Sequence, residues 1–195
     1  MSKRTQIVCI HEGKRGGSID PIFANAFLKT YNPAWIRPWR TGIVRLVPYG
    51  GKTELREAFP KELQSCITAG GNSTLIVLTD IDDDLEDGDQ LKKKYRETAQ
   101  RAGISEDDFE KAVFIFPKDR IENWVEFLSE GKTDENREGP RIKNFSKVRD
   151  MARLLADKCK SPGRNSEQFP PSLGIRQLRP TFFHLNDKRR LSGNT

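Results

Sequence analysis

The sequence predicts an α/β fold in which helices cover both faces of a four-stranded, mostly parallel sheet. Three observations lead to this prediction. Short apolar segments rich in β-branched residues alternate with segments of helical periodicity over residues 6–130. The apolar segments are nearly continuous, as expected for strands that are buried on both faces of a parallel sheet. The length of 195 residues suits one sizeable domain with a tail, and is too short for two ordinary domains.

Four short apolar segments are predicted strands, and three segments between them are predicted helices. The predicted strands are residues 6–11, 43–49, 74–79 and 112–117. The predicted helices are residues 18–30, 53–69 and 89–103. Pro60 should kink or restart the second helix, and Gly103 should end the third.

Two further helices are predicted after the last strand, at residues 119–128 and 146–159. The first of them has an apolar face made by Ile121, Trp124, Val125 and Leu128. Turn-forming and polar residues dominate from residue 160 onward. We therefore divide the chain into an α/β domain, residues 1–130, and a helical extension with a flexible tail, residues 131–195.

Charge is distributed unevenly along the chain. The formal net charge is +6, yet seven of the 28 acidic residues lie between Asp80 and Asp89. The other 21 acids face 34 lysines and arginines, a surplus of 13 positive charges. A basic body of this kind favours polyanionic partners, and nucleic acid first, because binding releases counterions.

The cysteines and the N-terminus indicate the cellular setting. Three cysteines lie far apart with no CxxC motif, so we expect neither a disulfide framework nor a zinc site, and a reducing cytoplasm as the location. His11 and Glu12 interrupt the first apolar run, which is therefore too short for a signal peptide or a membrane span. No membrane partner is expected, and the oligomeric state is left open.

Acidic residues follow two of the predicted strands. Glu12 comes directly after the first strand, and Asp80 and Asp82 come directly after the third. In open parallel sheets, binding sites form outside the carboxyl ends of the strands, where the connecting loops gather. Two aspartates one residue apart on a turn can share a Mg²⁺ ion, which prefers carboxylate and water oxygens. A second metal held by Glu12 would complete a two-metal site for phosphoryl transfer.

The same residues carry a resemblance to a known family. With EGK (Glu12 to Lys14) after the first strand and DID (Asp80 to Asp82) after the third, residues 6–130 resemble the Toprim domain, a Rossmann-like fold. Type IA topoisomerases, bacterial primases, small ribosomal-RNA-maturing nucleases and OLD nucleases share this domain. The resemblance implies Mg²⁺- or Mn²⁺-dependent chemistry on phosphodiester bonds. It also implies Asp80 and Asp82 as metal ligands, and Glu12 as a general acid/base or metal ligand.

Two acids outside these motifs each have two interpretations. Asp20 can turn back toward a second metal, or Ser18 or Asp20 caps the helix that begins near Pro21. Glu122 resembles the acidic residue that some Toprim-like proteins carry after the fourth strand. It also completes a capping box with Asp119.

The remaining acids of the loop after the third strand are more typical of a solvated loop. Asp84 is nevertheless retained as a candidate metal ligand. Asp87 or Asp89 is expected to cap the helix that follows, since acids favour helix N-termini.

Basic residues near these acids are candidates for phosphate contacts. Lys14 and Arg15 follow Glu12 in a glycine-rich loop that lacks the spacing of a P-loop. Lys118, directly after the fourth strand, can neutralise a transition-state phosphate or lie solvated. Arg37 and Arg40 alternate with Trp35 and Trp39, a composition that suits nucleic-acid stacking and equally a loop packed at the sheet edge.

These observations lead to the expectation of a Mg²⁺-dependent nuclease acting on DNA or RNA. An effector role in phage defence beside a partner ATPase follows only by analogy with the family. A non-catalytic Toprim-like subunit that binds nucleic acid or protein is the main alternative. A phosphotransferase or phosphatase for small molecules is a weaker one, because Glu12 occupies the position where such enzymes carry an aspartyl nucleophile.

Overall fold

A four-stranded sheet lies at the centre of the computed structural model, which describes residues 6–14, 17–31, 42–69, 73–81, 85, 87–138, 140–160 and 168–173. The strands are β1 Gln6–His11, β2 Val44–Pro48, β3 Ser73–Leu78 and β4 Val113–Ile115. All four are parallel, in the order β2-β1-β3-β4. The predicted α/β class is confirmed, and β4 is shorter than the predicted segment 112–117.

Helices occupy the connections between these strands and the segment after them. They are α1 Asp20–Tyr31, α2 Lys52–Ala69, α3 Gly88–Arg101, α4 Glu106–Phe109, α5 Ile121–Glu130 and α6 Phe145–Lys160, with a 3₁₀ turn at Pro171–Leu173. The short α4 was not predicted. Helix α2 continues through Pro60, so the proline does not restart it, and the buried neighbours Phe59 and Leu63 hold that part of the helix against the sheet. None of the described helices combines the length and apolar character needed to cross a membrane.

Two apolar cores lie on opposite faces of the sheet because successive strand residues point to opposite sides. On one face, Ile7 and Cys9 of β1 pack with side chains of α1, α5 and α6. On the other face, Val8 and Ile10 pack with side chains of α2, α3 and α4. Helices therefore cover both faces of the sheet, as predicted.

Helix α6 belongs to the first of these cores. Val148, Ala152 and Leu155 are fully buried there, and α6 lies against α1 and α5. The segment after residue 130 thus completes the packing of α1 on the sheet. The three cysteines, Cys9, Cys66 and Cys159, are buried, and no disulfide joins them.

The parallel strands end together at one edge. His11 of β1 lies beside Pro48 of β2 and Leu78 of β3. Glu12 and Thr79, the next residues after β1 and β3, are therefore neighbours at this edge.

Candidate functional site

A cavity of about 670 Å³ opens at the carboxyl edge of the sheet. Ligand sites are typically roughly 300–1,000 Å³, so this cavity is large enough for a small ligand or part of a polymer. Its walls come from the loops after β1, β3 and β4, from the starts of α1, α2 and α5, and from the coil before α6. The lining residues that carry charge are Glu12, Asp20, Lys52, Asp80, Asp119, Arg120, Glu122, Arg141 and Lys143.

Glu12 and Asp80, predicted from the strand ends, are in direct contact. The Asp80 backbone N–H donates to Glu12 Oε1 at 2.7 Å, and the Thr79 hydroxyl donates to the same oxygen at 3.3 Å. The other oxygen, Oε2, lies 4.0 Å from Lys52 Nζ. Pairing of β1 with β3 produces this contact, so the two strand-end acids form one unit at the floor of the cavity.

Three carboxyl groups in the cavity, those of Glu12, Asp80 and Glu122, have raised pKa values. Burial raises the pKa of Asp80 well above its usual range, and the charges of Glu12 and Asp20 raise it further. Burial also raises the pKa of Glu12, against the effect of the Asp80 N–H, which lowers it. The pKa of Glu122 is raised by burial and by Asp20. A cation in the cavity would relieve this mutual repulsion.

Close contacts with Ser18 and Asp20 explain why a glycine, Gly13, follows Glu12. A Cβ atom at this position would overlap Ser18 Oγ and lie 2.8 Å from Asp20 Oδ2. Ser18 Oγ donates to Asp20 Oδ2 at 2.6 Å and accepts from the Asp20 N–H at 3.3 Å. The loop therefore turns tightly enough to bring Asp20, at the start of α1, back to the cavity, while Ser18 contacts the helix start.

The predicted capping box at α5 is wrong. Arg120 occupies the N-cap position and makes no side-chain cap hydrogen bond. Asp119 instead has a left-handed φ of 61°, and its N–H donates to the Ile81 carbonyl at 3.1 Å. Ile81 in turn donates to the Pro117 carbonyl at 2.7 Å. These bonds tie the loops after β3 and β4 together and draw Asp119 away from the cap, so that Asp119 and Glu122 line the cavity.

Four cationic side chains line the same cavity and were not predicted: Lys52, Arg120, Arg141 and Lys143. Lys52 begins α2, just past the end of β2. A search for charged residues just after the strands, which identified Glu12 and Asp80, would therefore also have identified Lys52. Arg141 and Lys143 belong to the coil before α6, where the sequence gives no signal for a site. Their position depends on Ile142, between them, which packs against the core shared by α1, α5 and α6.

Other predicted site residues lie elsewhere. The Lys118 ammonium group donates to Asn136 Oδ1 at 2.9 Å and is not among the cavity-lining groups. Lys14 is exposed next to Gly13 and also does not line the cavity. The candidate residues Asp82, Asp84, Arg15, Arg37 and Arg40 lie outside the described residues.

The prediction of a capping acid before α3 is confirmed. Asp87 is the N-cap residue, and its Oδ1 accepts from the N–H groups of Asp89 and Gln90 at 3.0 Å each. Asp87 is therefore held by the helix start rather than by the cavity.

The donor set of the cavity suits a hard divalent cation. Across the described part of the chain, no group of three or more His, Cys, Asp or Glu side chains is arranged to hold a metal ion. Mg²⁺, however, usually keeps several waters and takes only one or two carboxylates from the protein. Asp80 and Glu12, with Asp20 nearby, are the residues that would hold it, since their oxygens are hard donors and their crowded charges favour a cation.

Comparisons with known proteins give no match. No family model, no curated protein and no solved structure matches this chain. The resemblance to the Toprim domain therefore remains a prediction from two short motifs, and function is inferred from the cavity itself.

Proposed function

We propose that this chain is a Mg²⁺- or Mn²⁺-dependent nuclease of the Toprim type that cleaves phosphodiester bonds in DNA or RNA. One observation carries the proposal: the strand-end acids Glu12 and Asp80 are in contact within a cavity that also holds four cationic side chains. Carboxylates suit a divalent metal, and cations suit phosphate, so the cavity has donors for both parts of the reaction. By analogy with OLD nucleases, the proposal extends to a cytoplasmic phage-defence effector that acts beside a partner ATPase.

In this proposal, the carboxylates of the cavity have two roles: metal ligation and proton transfer. When bound, the divalent cation would neutralise charge on the phosphate and lower the pKa of a water molecule. Asp80 and Asp20 offer oxygens to hold it. Glu12 Oε1 already accepts the Asp80 N–H, which fixes the side chain and leaves Oε2 facing Lys52. Because burial raises its pKa, Glu12 is suited to holding and releasing a proton closer to neutral pH than an exposed glutamate.

Lys52 supports this arrangement from the start of α2. Its ammonium group lies 4.0 Å from Glu12 Oε2 and lowers the pKa values of both Glu12 and Asp80. It therefore opposes the rise in both pKa values that burial causes. It also provides a positive charge beside the atoms where a phosphate would react.

The test is a cleavage assay that varies substrate and metal. Purified protein is incubated with plasmid, linear duplex, single-stranded DNA and structured RNA, each with Mg²⁺, Mn²⁺ or EDTA. We expect cleavage of at least one substrate with metal and none with EDTA. Asp80→Ala should abolish it, while Asp107→Ala, an exposed acid on α4, should cleave at the wild-type rate.

Two results would contradict the proposal. Cleavage by Asp80→Ala at the wild-type rate would remove the metal assignment. Nucleic-acid binding that needs no metal and survives Asp80→Ala, with no cleavage of any substrate, would support the non-catalytic binding subunit instead.

A further inference from the structure

The coil before α6 provides two cations at the mouth of the cavity. Arg141 and Lys143 are exposed and line the cavity, and neither forms an ion pair within the part of the chain that the structure describes. Ile142 between them is partly buried against the core shared by α1, α5 and α6. The apolar residue thus anchors the coil, and the two cations are held where a ligand in the cavity would meet them.

Arg120 adds a third cation on the same side. Its Nε lies 3.2 Å from Asp119 Oδ2, and its Nη1 lies 3.0 Å from Glu138 Oε1. The Nε is buried and makes no hydrogen bond within the described structure, and the Glu138 side chain is 66% exposed. Because water reaches the Glu138 carboxylate and screens the pair, a phosphate can replace Glu138 at little cost.

These three cations and Lys52 approach the cavity from opposite faces of the sheet. Lys52 begins α2, which packs on the core with α3, whereas Arg120, Arg141 and Lys143 belong to the segments around α5 and α6. Lys52 is already close to Glu12. The three cations on the other face are named the basic rim, and they are the ones placed to bind a ligand beside the reacting atoms.

We propose that the basic rim, Arg120, Arg141 and Lys143, binds backbone phosphates of a nucleic-acid strand next to the bond that is cleaved. This inference rests on the proposed nuclease function and adds to it the side from which the strand enters, over α5 and α6 rather than over α2. Arginine binds phosphate through a planar fork and lysine as a point charge, so the rim can grip a backbone without reading its bases. Binding should therefore be largely independent of sequence.

The test measures binding without cleavage. In EDTA, fluorescence anisotropy follows fluorescein-labelled single-stranded DNA, RNA and duplex of about 20 nucleotides while salt rises over roughly 50–300 mM. The variant is Arg141→Ala with Lys143→Ala. The control removes the same charge on α3, away from the cavity and from α5 and α6: Lys93→Ala with Arg101→Ala, both exposed.

We expect the rim variant to bind on the order of tenfold more weakly at low salt than the wild type. Its slope of log affinity against log salt should be shallower by about 1.4 on single strands, since each lost phosphate contact contributes about 0.7. The control pair should stay close to the wild type. If the rim variant matches the control pair, or if the wild type binds none of the probes, the basic rim is not a nucleic-acid site.

The two proposals fail in different ways. Lost binding in the rim variant, together with no cleavage by the wild type under any metal, would keep the rim and remove the nuclease. Cleavage by the rim variant with unchanged KM and salt response would keep the nuclease and remove the rim.

Discussion

Two carboxylates, the buried Glu135 and the half-buried Asp80, lie in opposite kinds of surroundings. Glu135 accepts hydrogen bonds from the Ser172 N–H and hydroxyl at 2.7 Å each, and Ser172 Oγ also accepts from Trp124 Nε1 at 2.8 Å. Burial raises the pKa of Glu135, and its hydrogen bonds with Ser172 offset part of that rise. Burial raises the pKa of Asp80 too, but there the next causes, Glu12 and Asp20, raise it further.

We interpret Glu135 as a structural acid, and we propose that Asp80 is a functional one. Glu135 has donors within the protein, and it holds Ser172 of the 3₁₀ turn, which also accepts from Trp124 of α5. Asp80 is surrounded by other acids, an arrangement that does not stabilise a fold and that a bound cation would balance.

The largest effect is expected for Glu12→Gln. The amide can still accept the Asp80 N–H, so the fold should survive, but it can neither transfer a proton nor offset a cation. We expect the cleavage rate to fall about 10²- to 10⁴-fold, the usual contribution of one general acid/base. Single-turnover cleavage beside calorimetric Mn²⁺ titration separates the roles, because a ligand role also weakens metal binding. Glu97→Gln, exposed on α3, is the control; unchanged cleavage and unchanged Mn²⁺ binding in Glu12→Gln would remove Glu12 from the site.

Next in size is the loss of stability in Glu135→Ala. The change leaves the Ser172 donors without their acceptor in a buried place, and hydrogen bonds to charged groups are worth about 1.5–3 kcal/mol each. We expect the free energy of unfolding to fall by about 2–4 kcal/mol, measured by urea denaturation with tryptophan fluorescence. Glu130→Ala, an exposed acid at the end of α5, should change it by less than about 0.5 kcal/mol. A Glu135→Ala protein as stable as the wild type would mean that this acid is not an anchor.

Gly13→Ala should reduce both stability and cleavage. The new methyl group would overlap Ser18 and displace Asp20 from the cavity, and overpacking of this kind costs about 1–3 kcal/mol. Gly103→Ala is the matched control, because it strains a left-handed residue, φ 77°, far from the cavity. We expect a lower melting temperature for both variants than for the wild type. At a temperature where both are folded, only Gly13→Ala should lose cleavage activity. Equal activity in the two would show that the position of Asp20 does not matter.

The smallest effect concerns pH in the absence of metal. A carboxyl group whose pKa is raised by folding contributes stability below about pH 4 and loses that contribution as pH rises through its folded pKa. In EDTA, the unfolding midpoint should therefore rise as pH falls from neutral toward about 4. Asp80→Asn should flatten this rise more than Glu135→Gln does. It should also be more stable than the wild type near neutral pH, by on the order of 1 kcal/mol or about 2–4 °C.

Bound metal should reverse the difference in stability between Asp80→Asn and the wild type. Mn²⁺ at neutral pH should raise the melting midpoint of the wild type more than that of Asp80→Asn, because a ligand that binds only the folded state stabilises it. An Asp80→Asn protein with the full pH response of the wild type would show that Asp80 is not the titrating group.

The sheet and its two strand-end acids could be predicted because both depend on short stretches of sequence. Apolar, β-branched runs identify the strands, and Glu12 and Asp80 follow them directly. The Glu135–Ser172 contact joins residues 37 positions apart in a turn-rich region, so no local pattern announces it. The capping-box interpretation of Asp119 and Glu122 was also wrong because of a contact between distant residues. The hydrogen bond from the Asp119 N–H to Ile81, in the loop after β3, overrides the local preference.

The packing of α6 against α1 also sets an order of events during synthesis. A nascent chain that has emerged only as far as α5 contains all four strands, yet Phe23, Phe27 and Leu28 of α1 still lack the surface that α6 provides. Such a chain exposes apolar surface, as incomplete domains on the ribosome do, and is open to chaperones. Arg141 and Lys143 precede α6 directly, so translation completes the core and the mouth of the cavity in the same interval.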